Sequence, residues 1–210
     1  MSAPLTQLLI FPCNGNGLEA LDCLGSTHRL VGFIDDSPEK QGIDTYGHRV
    51  MPRGKLAEFP EAQVLAVPGG PATFRSRKDA ILGLGLAAER FATVIHPAAR
   101  ISPLATIGHN VLIMAGVVVT SDARIGNHVC VLPNSVIHHD TTVGDWSLIG
   151  ANVTIAGNVH IGENCYVASG SSLMNDVQVG CGALVGLGST VIRSVGAGST
   201  VAGNPARVLR

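Results

Sequence analysis

Charge is scarce in this 210-residue sequence. Only 14% of residues are Asp, Glu, Lys or Arg, the net charge is −1, and there is no basic run. A chain without a basic stripe has little with which to neutralise phosphate ladders, which argues against nucleic acid and anionic membrane surfaces as partners. Aromatic residues are also thin, at 4% with one tryptophan, so the interior must be built from aliphatic side chains. No apolar run approaches the roughly 20 residues of a membrane span. No charged-then-apolar leader opens the sequence, and a cytoplasmic protein is expected. The five cysteines (Cys13, Cys23, Cys130, Cys165, Cys181) show no CxxC spacing, so neither a disulfide framework nor a metal site is expected.

What the sequence does have is a period of six. Counting from Ile101 in steps of six meets an aliphatic residue sixteen times in succession, through Ile137, Ile155 and Leu173 to Val191. A repeat of fixed period takes precedence over any local pattern. Two residues before each large aliphatic stands a small or β-branched one, such as Ala99, Val117, Ser135 or Cys165. Residues two apart on a strand share a face, so each hexad sends one large and one small side chain inward. The place before the small residue is Gly, Asn or Asp in twelve of the sixteen hexads, the residue types that tolerate a left-handed corner. Short strand, sharp turn and repetition predict a solenoid around a narrow core. Each buried aliphatic stabilises it by roughly 1.5–3 kcal/mol.

The first 95 residues follow other rules. Leu8 to Phe11 reads as a strand running into Pro12-Cys13-Asn14-Gly15-Asn16-Gly17, with a helical pattern at Leu18, Leu21 and Leu24. A second strand, Leu30 to Ile34, ends at Asp35-Asp36. This is the order of a nucleotide-binding βαβ unit, although the full GxGxxG is absent and Pro12 stands where the first glycine often sits. Two readings are open: a plain strand-to-helix turn, or a diphosphate over Gly15 to Gly17 with Asp35 or Asp36 on the nucleoside. Residues 37–60 predict a loop with one short strand, and Gln63 to Val67 a third strand closed by Pro68-Gly69-Gly70-Pro71. A helix is expected over 72–84, carrying Arg75, Arg77 and Lys78, and a last strand from Phe91 to Ile95 leads to His96-Pro97. Arg75 suits either a phosphate or a solvated helix face.

The hexads resemble the left-handed parallel β-helix acyltransferases, in which three hexads make a triangular coil; about five coils would fit here. Handedness comes with the resemblance, not from the repeat. The Gly15-Asn16-Gly17 turn, Phe33-Ile34-Asp35-Asp36, the Gly69-to-Arg75 segment and Ile95-His96-Pro97 resemble the small Rossmann-like domain of nucleotide-sugar N-acetyltransferases and sialic acid O-acetyltransferases. That resemblance implies a nucleotide-sugar-binding domain over 1–95 and an acetyltransferase β-helix with its C-terminal cap over 96–210. It further implies acetyl-CoA as cosubstrate, no metal, a nucleotide diphosphate amino sugar as acceptor, and a homotrimer with active sites between subunits. Nucleotide-sugar contacts would come from Asn14, Gly15, Asn16, Gly17, Asp35, Asp36 and Arg75.

Within Pro133 to Asp140, the resemblance maps His139 onto the family's catalytic histidine and Asp140 onto the acid beside it. An imidazole titrating near neutrality suits removal of a proton from the attacking nucleophile. A carboxylate on its other nitrogen would fix the tautomer. Asp140 also occupies the corner slot of its hexad, so a turn residue explains it equally well. His138 is a surface residue or a substrate contact; His96, His109, His128 and His160 suit surface or interface roles. Gly157, eighteen residues after His139, resembles the family glycine whose amide faces the thioester carbonyl. Gly203, Pro205, Ala206 and Arg207 resemble the G-x-P-A-[KR] segment beside the coenzyme A adenosine, and would also cap the solenoid. Two positions depart from the family: Leu132 stands where an asparagine is common and Leu148 where a second histidine is. Trp146 either stacks on a ligand or packs at a subunit contact. Rival functions are sugar or sialic acid O-acetylation and a non-catalytic nucleotide-binding trimer. A zinc carbonic anhydrase would need two histidines five residues apart, a spacing the solenoid lacks.

Overall fold

The computed structural model describes residues 4–209. Sixteen two-residue strands, β7 (Arg100–Ile101) to β22 (Thr190–Val191), follow one another, each ending on the large aliphatic of its hexad. Away from the two ends of the run each strand pairs in parallel with those three places before and after it, as β10 (Val118–Val119) does with β7 and β13 (Val136–Ile137). Three sheets result, one coil is eighteen residues, and the fold is a left-handed parallel β-helix. Its interior is aliphatic, with Ile113, Ile137, Val143, Ile149, Ile155 and Ile161 at 0% exposure. The inward serines are satisfied by the chain itself: Ser135 Oγ donates to the Gly150 carbonyl at 2.6 Å and Ser147 Oγ to that of Gly162 at 3.0 Å.

The corner slot behaves as its composition requires. Asn134, Asp140, Asn152, Asn158, Asn164 and Asp176 all have positive φ, between 53° and 64°. His128 and Trp146 adopt the same conformation, at 59° and 60°, although bulky residues rarely enter that region. Both lie where another part of the molecule covers them.

That part is a five-stranded sheet in the order β3 (Gly42–Ile43), β4 (Arg49–Met51), β2 (His28–Ile34), β1 (Thr6–Phe11), β5 (Gln63–Ala66). Only the β3–β4 pairing is antiparallel. Residues 37–60 therefore hold two short strands rather than one, followed by a 3-10 turn over Arg53–Glu58. The helices are short: α1 (Gly15–Glu19) runs on as 3-10 through Cys23, and α2 (Arg77–Leu82) follows a 3-10 turn at Phe74–Ser76. The strand expected over 91–95 shrinks to β6 (Val94–Ile95), which pairs with β9 (Leu112–Ile113) and so opens the solenoid. Phe91 keeps a single bridge to Val64.

One face of the front sheet (Leu8, Ile10, Phe33, Leu65) shares a core with the outward side chains of the solenoid's eight-stranded sheet, among them Leu112, Cys130 and Leu148. The seam is stitched by polar groups. Asn110, fully buried, accepts from the Ala66 N–H at 2.7 Å and donates to its carbonyl at 2.9 Å, standing in for a neighbouring strand at the end of β5. Arg77, for which the sequence suggested no role, is 1% exposed and donates to the carbonyls of Pro68 and His128. Burial lowers its pKa to about 10. Among the described residues no helix is long and apolar enough to cross a membrane.

Candidate active site

His139 follows β13 at the corner between the six- and five-stranded sheets. Its Nδ1 lies 2.8 Å from Asp140 Oδ2. Asp140 therefore does both things the sequence left open: its backbone makes the left-handed corner (φ 58°), and its carboxylate takes the Nδ1–H of the neighbouring ring. This leaves Nε2 as the proton acceptor. One coil on, Asn158 N–H donates to the His139 carbonyl at 2.9 Å, which stacks the two corners. The imidazole lies over Gly157, where an added Cβ would sit 2.6 Å from both Cε1 and Nε2. Among the described residues the Gly157 N–H has no hydrogen-bond partner. Both side chains of the His139–Asp140 pair are more than half exposed.

In the front domain the chain passes from β1 to β2 on one side and returns to β5 on the other. The switch point thus lies between β1 and β5, the place where open parallel sheets receive ligands. There Asn16, Gly69, Gly70 and Pro71 meet Leu132, Leu148 and Tyr166 of the solenoid around a cavity of about 110 Å³. Asn14 caps α1 by accepting from Gly17 N–H at 2.9 Å. Gly17 permits no side chain, since a Cβ would lie 2.4 Å from the Pro12 carbonyl oxygen, whereas Gly15 faces open space. Leu132 and Leu148, the two departures from the family pattern, join the apolar seam between the domains.

Three residues expected to contact the nucleotide are already engaged. Asp35 is 4% exposed and accepts from Cys13 N–H, Ser37 N–H and Lys40 Nζ, at 3.1, 3.0 and 2.9 Å. Burial pushes its carboxyl up, but Lys40 and the Ser37 hydrogen bonds outweigh this and hold it below its ordinary value. It braces the β1–α1 turn against the end of β2. Asp36 pairs with Arg53 and also accepts from its backbone N–H at 2.8 Å. Arg75 is exposed, and its guanidinium donates to the carbonyls of Gly182 and Gly198, at 3.3 Å each.

Trp146 packs within the chain. Its ring stacks on His128 (5.7 Å between centroids, 5° between planes), with Lys78 Nζ 4.2 Å from its centroid. Residues of the front domain and of the solenoid thus enclose it. His128 is 6% exposed. Burial, then the charges of His109 and Arg77, depress its pKa to about 4, Asp145 opposing them. Sequence reasoning missed the joint formed by Asn110, Arg77 and His128. The available signal was a histidine and a tryptophan in two corner slots that elsewhere favour Gly, Asn or Asp. His138 is half-buried, His96 Nδ1 accepts from the Ala98 N–H, and His160 lies beside Thr142 in its sheet. Among the described residues no three His, Cys, Asp or Glu side chains are grouped to hold a metal ion.

After β22 the chain forms a hairpin, β23 (Thr200–Gly203) and β24 (Ala206–Val208), that extends the eight-stranded sheet. Gly203 takes φ 103° at its turn. Pro205 occupies the tip, Ala206 pairs with Gly203, and Arg207 is exposed opposite Ala202.

The family described as bacterial transferase hexapeptide (six repeats) matches residues 104–139 and 122–157. No curated protein sequence matches the chain. Solved structures match over nearly its whole length. The acetyltransferase domain of PglB from Neisseria gonorrhoeae, in complex with acetyl coenzyme A, is 26% identical with a TM-score of 0.84, covering 98% of this chain and 100% of that one. PerB from Caulobacter crescentus, in complex with CoA and GDP-perosamine, is 22% identical with a TM-score of 0.85, covering 99% of each. WeeI from Acinetobacter baumannii is 24% identical with a TM-score of 0.82, covering 98% and 100%.

Proposed function

We propose that this chain, a hexapeptide-repeat protein built along its length like the sugar acetyltransferases, is an acetyl-CoA-dependent N-acetyltransferase. In this reading it acts on the amine of a nucleotide-linked amino sugar, a 4-amino-4,6-dideoxy sugar fitting best. The observation that carries the reading is the His139–Asp140 pair set over Gly157. With Asp140 holding Nδ1–H, Nε2 removes a proton from the sugar amine as its nitrogen attacks the thioester carbonyl. The Gly157 N–H then supports the oxyanion of the tetrahedral intermediate. When that intermediate collapses, the C–S bond breaks and the imidazolium proton is available to the departing thiolate. Transfer is direct, and the enzyme is not acylated.

Neither domain completes this site within one chain. The glycine turn and switch-point cavity lie against the eight-stranded sheet, while His139 stands at the corner joining the other two. A homotrimer that sets one chain's corner against its neighbour's front domain unites the parts and excludes water from the exposed pair. The Gly15–Gly17 turn would hold the diphosphate, with Asn14 and Asn16 shaping it; Asp35 would act as a brace. PerB, bound to CoA and GDP-perosamine, supports this acceptor class.

The test is turnover of acetyl-CoA, followed as free thiol, with a panel of nucleotide amino sugars and hydroxyl acceptors. His139→Ala should lower kcat by about 10²-fold or more with the amine acceptor. Near-wild-type turnover in that variant removes the assignment. Turnover with hydroxyl acceptors alone reassigns the chain to O-acetylation, and nucleotide binding without thiol release makes it a non-catalytic binder.

A further inference from the structure

Arg77 is a buried cation without a counter-charge. It opens α2 at 1% exposure, and among the described residues no carboxylate pairs with it. It stays protonated at neutral pH, since burial lowers its pKa only to about 10. A lone charge in the interior is costly, and an apolar side chain of similar volume would fill the space without that cost. What an apolar residue could not do is donate. Arg77 ties together two carbonyls that no other donor reaches among the described residues, Pro68 in the front domain and His128 in the solenoid. Its Nε–H has no partner, so those two carbonyls alone hold the guanidinium. Pro68 leads into Gly69, Gly70 and Pro71, which line the switch-point cavity together with Asn16. The far end of this loop is fixed by the Thr73 and Phe74 N–H groups, which donate to the Gly70 carbonyl at 3.0 and 2.8 Å. Its near end is fixed by Arg77. Between them Gly69 takes φ 114°, and neither the Gly69 nor the Gly70 N–H has a hydrogen-bond partner among the described residues.

We propose that Arg77 is a positioning residue for the acceptor: by pinning Pro68 to the solenoid corner at His128, it holds the Gly69–Gly70 backbone rigid at the edge of the cavity, where the two free N–H groups join the Gly15–Gly17 turn in binding the diphosphate. This rests on the nucleotide-sugar reading above and adds to it a residue that never touches the substrate. The uncompensated charge acts in the same direction, because a cation packed behind the loop with no carboxylate to cancel it favours an anion at the loop. It also ties the acceptor loop to the solenoid, so the front domain and the coil that carries the chemistry keep a fixed relation.

Calorimetric titration of GDP, UDP and dTDP into the full-length protein, with CoA as the control, needs no knowledge of the sugar. Arg77→Met should weaken the nucleotide that the wild type binds by roughly tenfold or more and leave CoA binding where it was. Arg77→Lys, which keeps the charge and a donor, should recover part of the loss. In turnover, the KM for the nucleotide amino sugar should rise while kcat and the KM for acetyl-CoA hold. Where loss of the buried donor unfolds Arg77→Met, Gly69→Ala carries the test. It strains the loop at φ 114° and sets a methyl 3.1 Å from Leu148 Cδ1, with Arg77 itself unchanged, and should weaken the nucleotide by the same order. Full nucleotide binding in either variant overturns the proposal, as does an equal loss for nucleotide and CoA, which would mark a purely structural role. A wild-type protein that binds CoA but none of the three nucleotides sinks instead the acceptor reading, an outcome read without any variant.

Discussion

Two corners of the same solenoid carry histidine, and they could hardly differ more. The backbone is repeated from coil to coil, yet His139 is exposed with a carboxylate on its Nδ1, whereas His128 is enclosed beneath Trp146 and the front domain with its pKa depressed to about 4. The difference arises from what lies outside the coil. The corner after the six-stranded sheet is left open, while the corner entering the eight-stranded sheet is roofed by α2 and by Phe91. A repeat can thus present one residue type for chemistry and spend the same type on a joint.

The sharpest way to disturb the open corner is Gly157→Ala. The added methyl would meet the imidazole at 2.6 Å and turn Nε2 away from its working position. Displacement of a reacting group by about 1 Å can cost roughly 10²-fold, and kcat should fall by that order. Asn158 and the corner hydrogen bonds are untouched, so the melting temperature should stay close to that of the wild type. A fully active Gly157→Ala protein would show that His139 does not work from this seat.

The closed corner should respond to acid. The folded pKa of His128, about 4, lies below the ordinary value near 6.5, so the unfolded chain takes up its proton first. Stability is therefore full above about pH 6.5 and drains as pH falls towards 4, by about 1–3 kcal/mol in all. Thermal melts across this window should show the slope in the wild type and a flatter profile in His128→Gln. An equal slope in both would place the acid sensitivity elsewhere.

The smallest effect separates the two duties of Asp140. Asn occupies the same left-handed slot at 134, 152, 158 and 164, so Asp140→Asn should change stability by no more than about 0.5 kcal/mol. Loss of the charge that stabilises imidazolium should nevertheless lower kcat by about tenfold, with the pH–rate profile displaced. Asp122→Asn, one coil earlier in the same column, changes a corner of the same geometry and should leave both quantities alone. Matching behaviour of the two variants would reduce Asp140 to a turn residue.

Much of this was legible in advance, for reasons that differ by region. In the solenoid each residue's environment is set by neighbours six and eighteen positions away, so Ile137 inward, Asp140 at a corner and His139 stacked on Gly157 follow from counting. In the front domain, contacts come from unrelated parts of the chain. The strand at 91–95 was therefore drawn too long, nothing marked Arg77 as buried, and Asp35 was offered to a ligand when three internal donors already held it. The packing of Trp146 was not legible for a related reason: its own hexad says nothing of the helix whose Lys78 lies over its ring.

The sequence by itself determined the coil, its core, its corners and the column that holds His139, because a short exact period converts one-dimensional spacing directly into three-dimensional position. Only the tertiary structure decided which sheet the front domain covers, and which histidine is sealed and which stays open. Those outcomes depend on apolar surfaces and buried polar groups meeting across large sequence separations, and no spacing in the chain encodes that meeting.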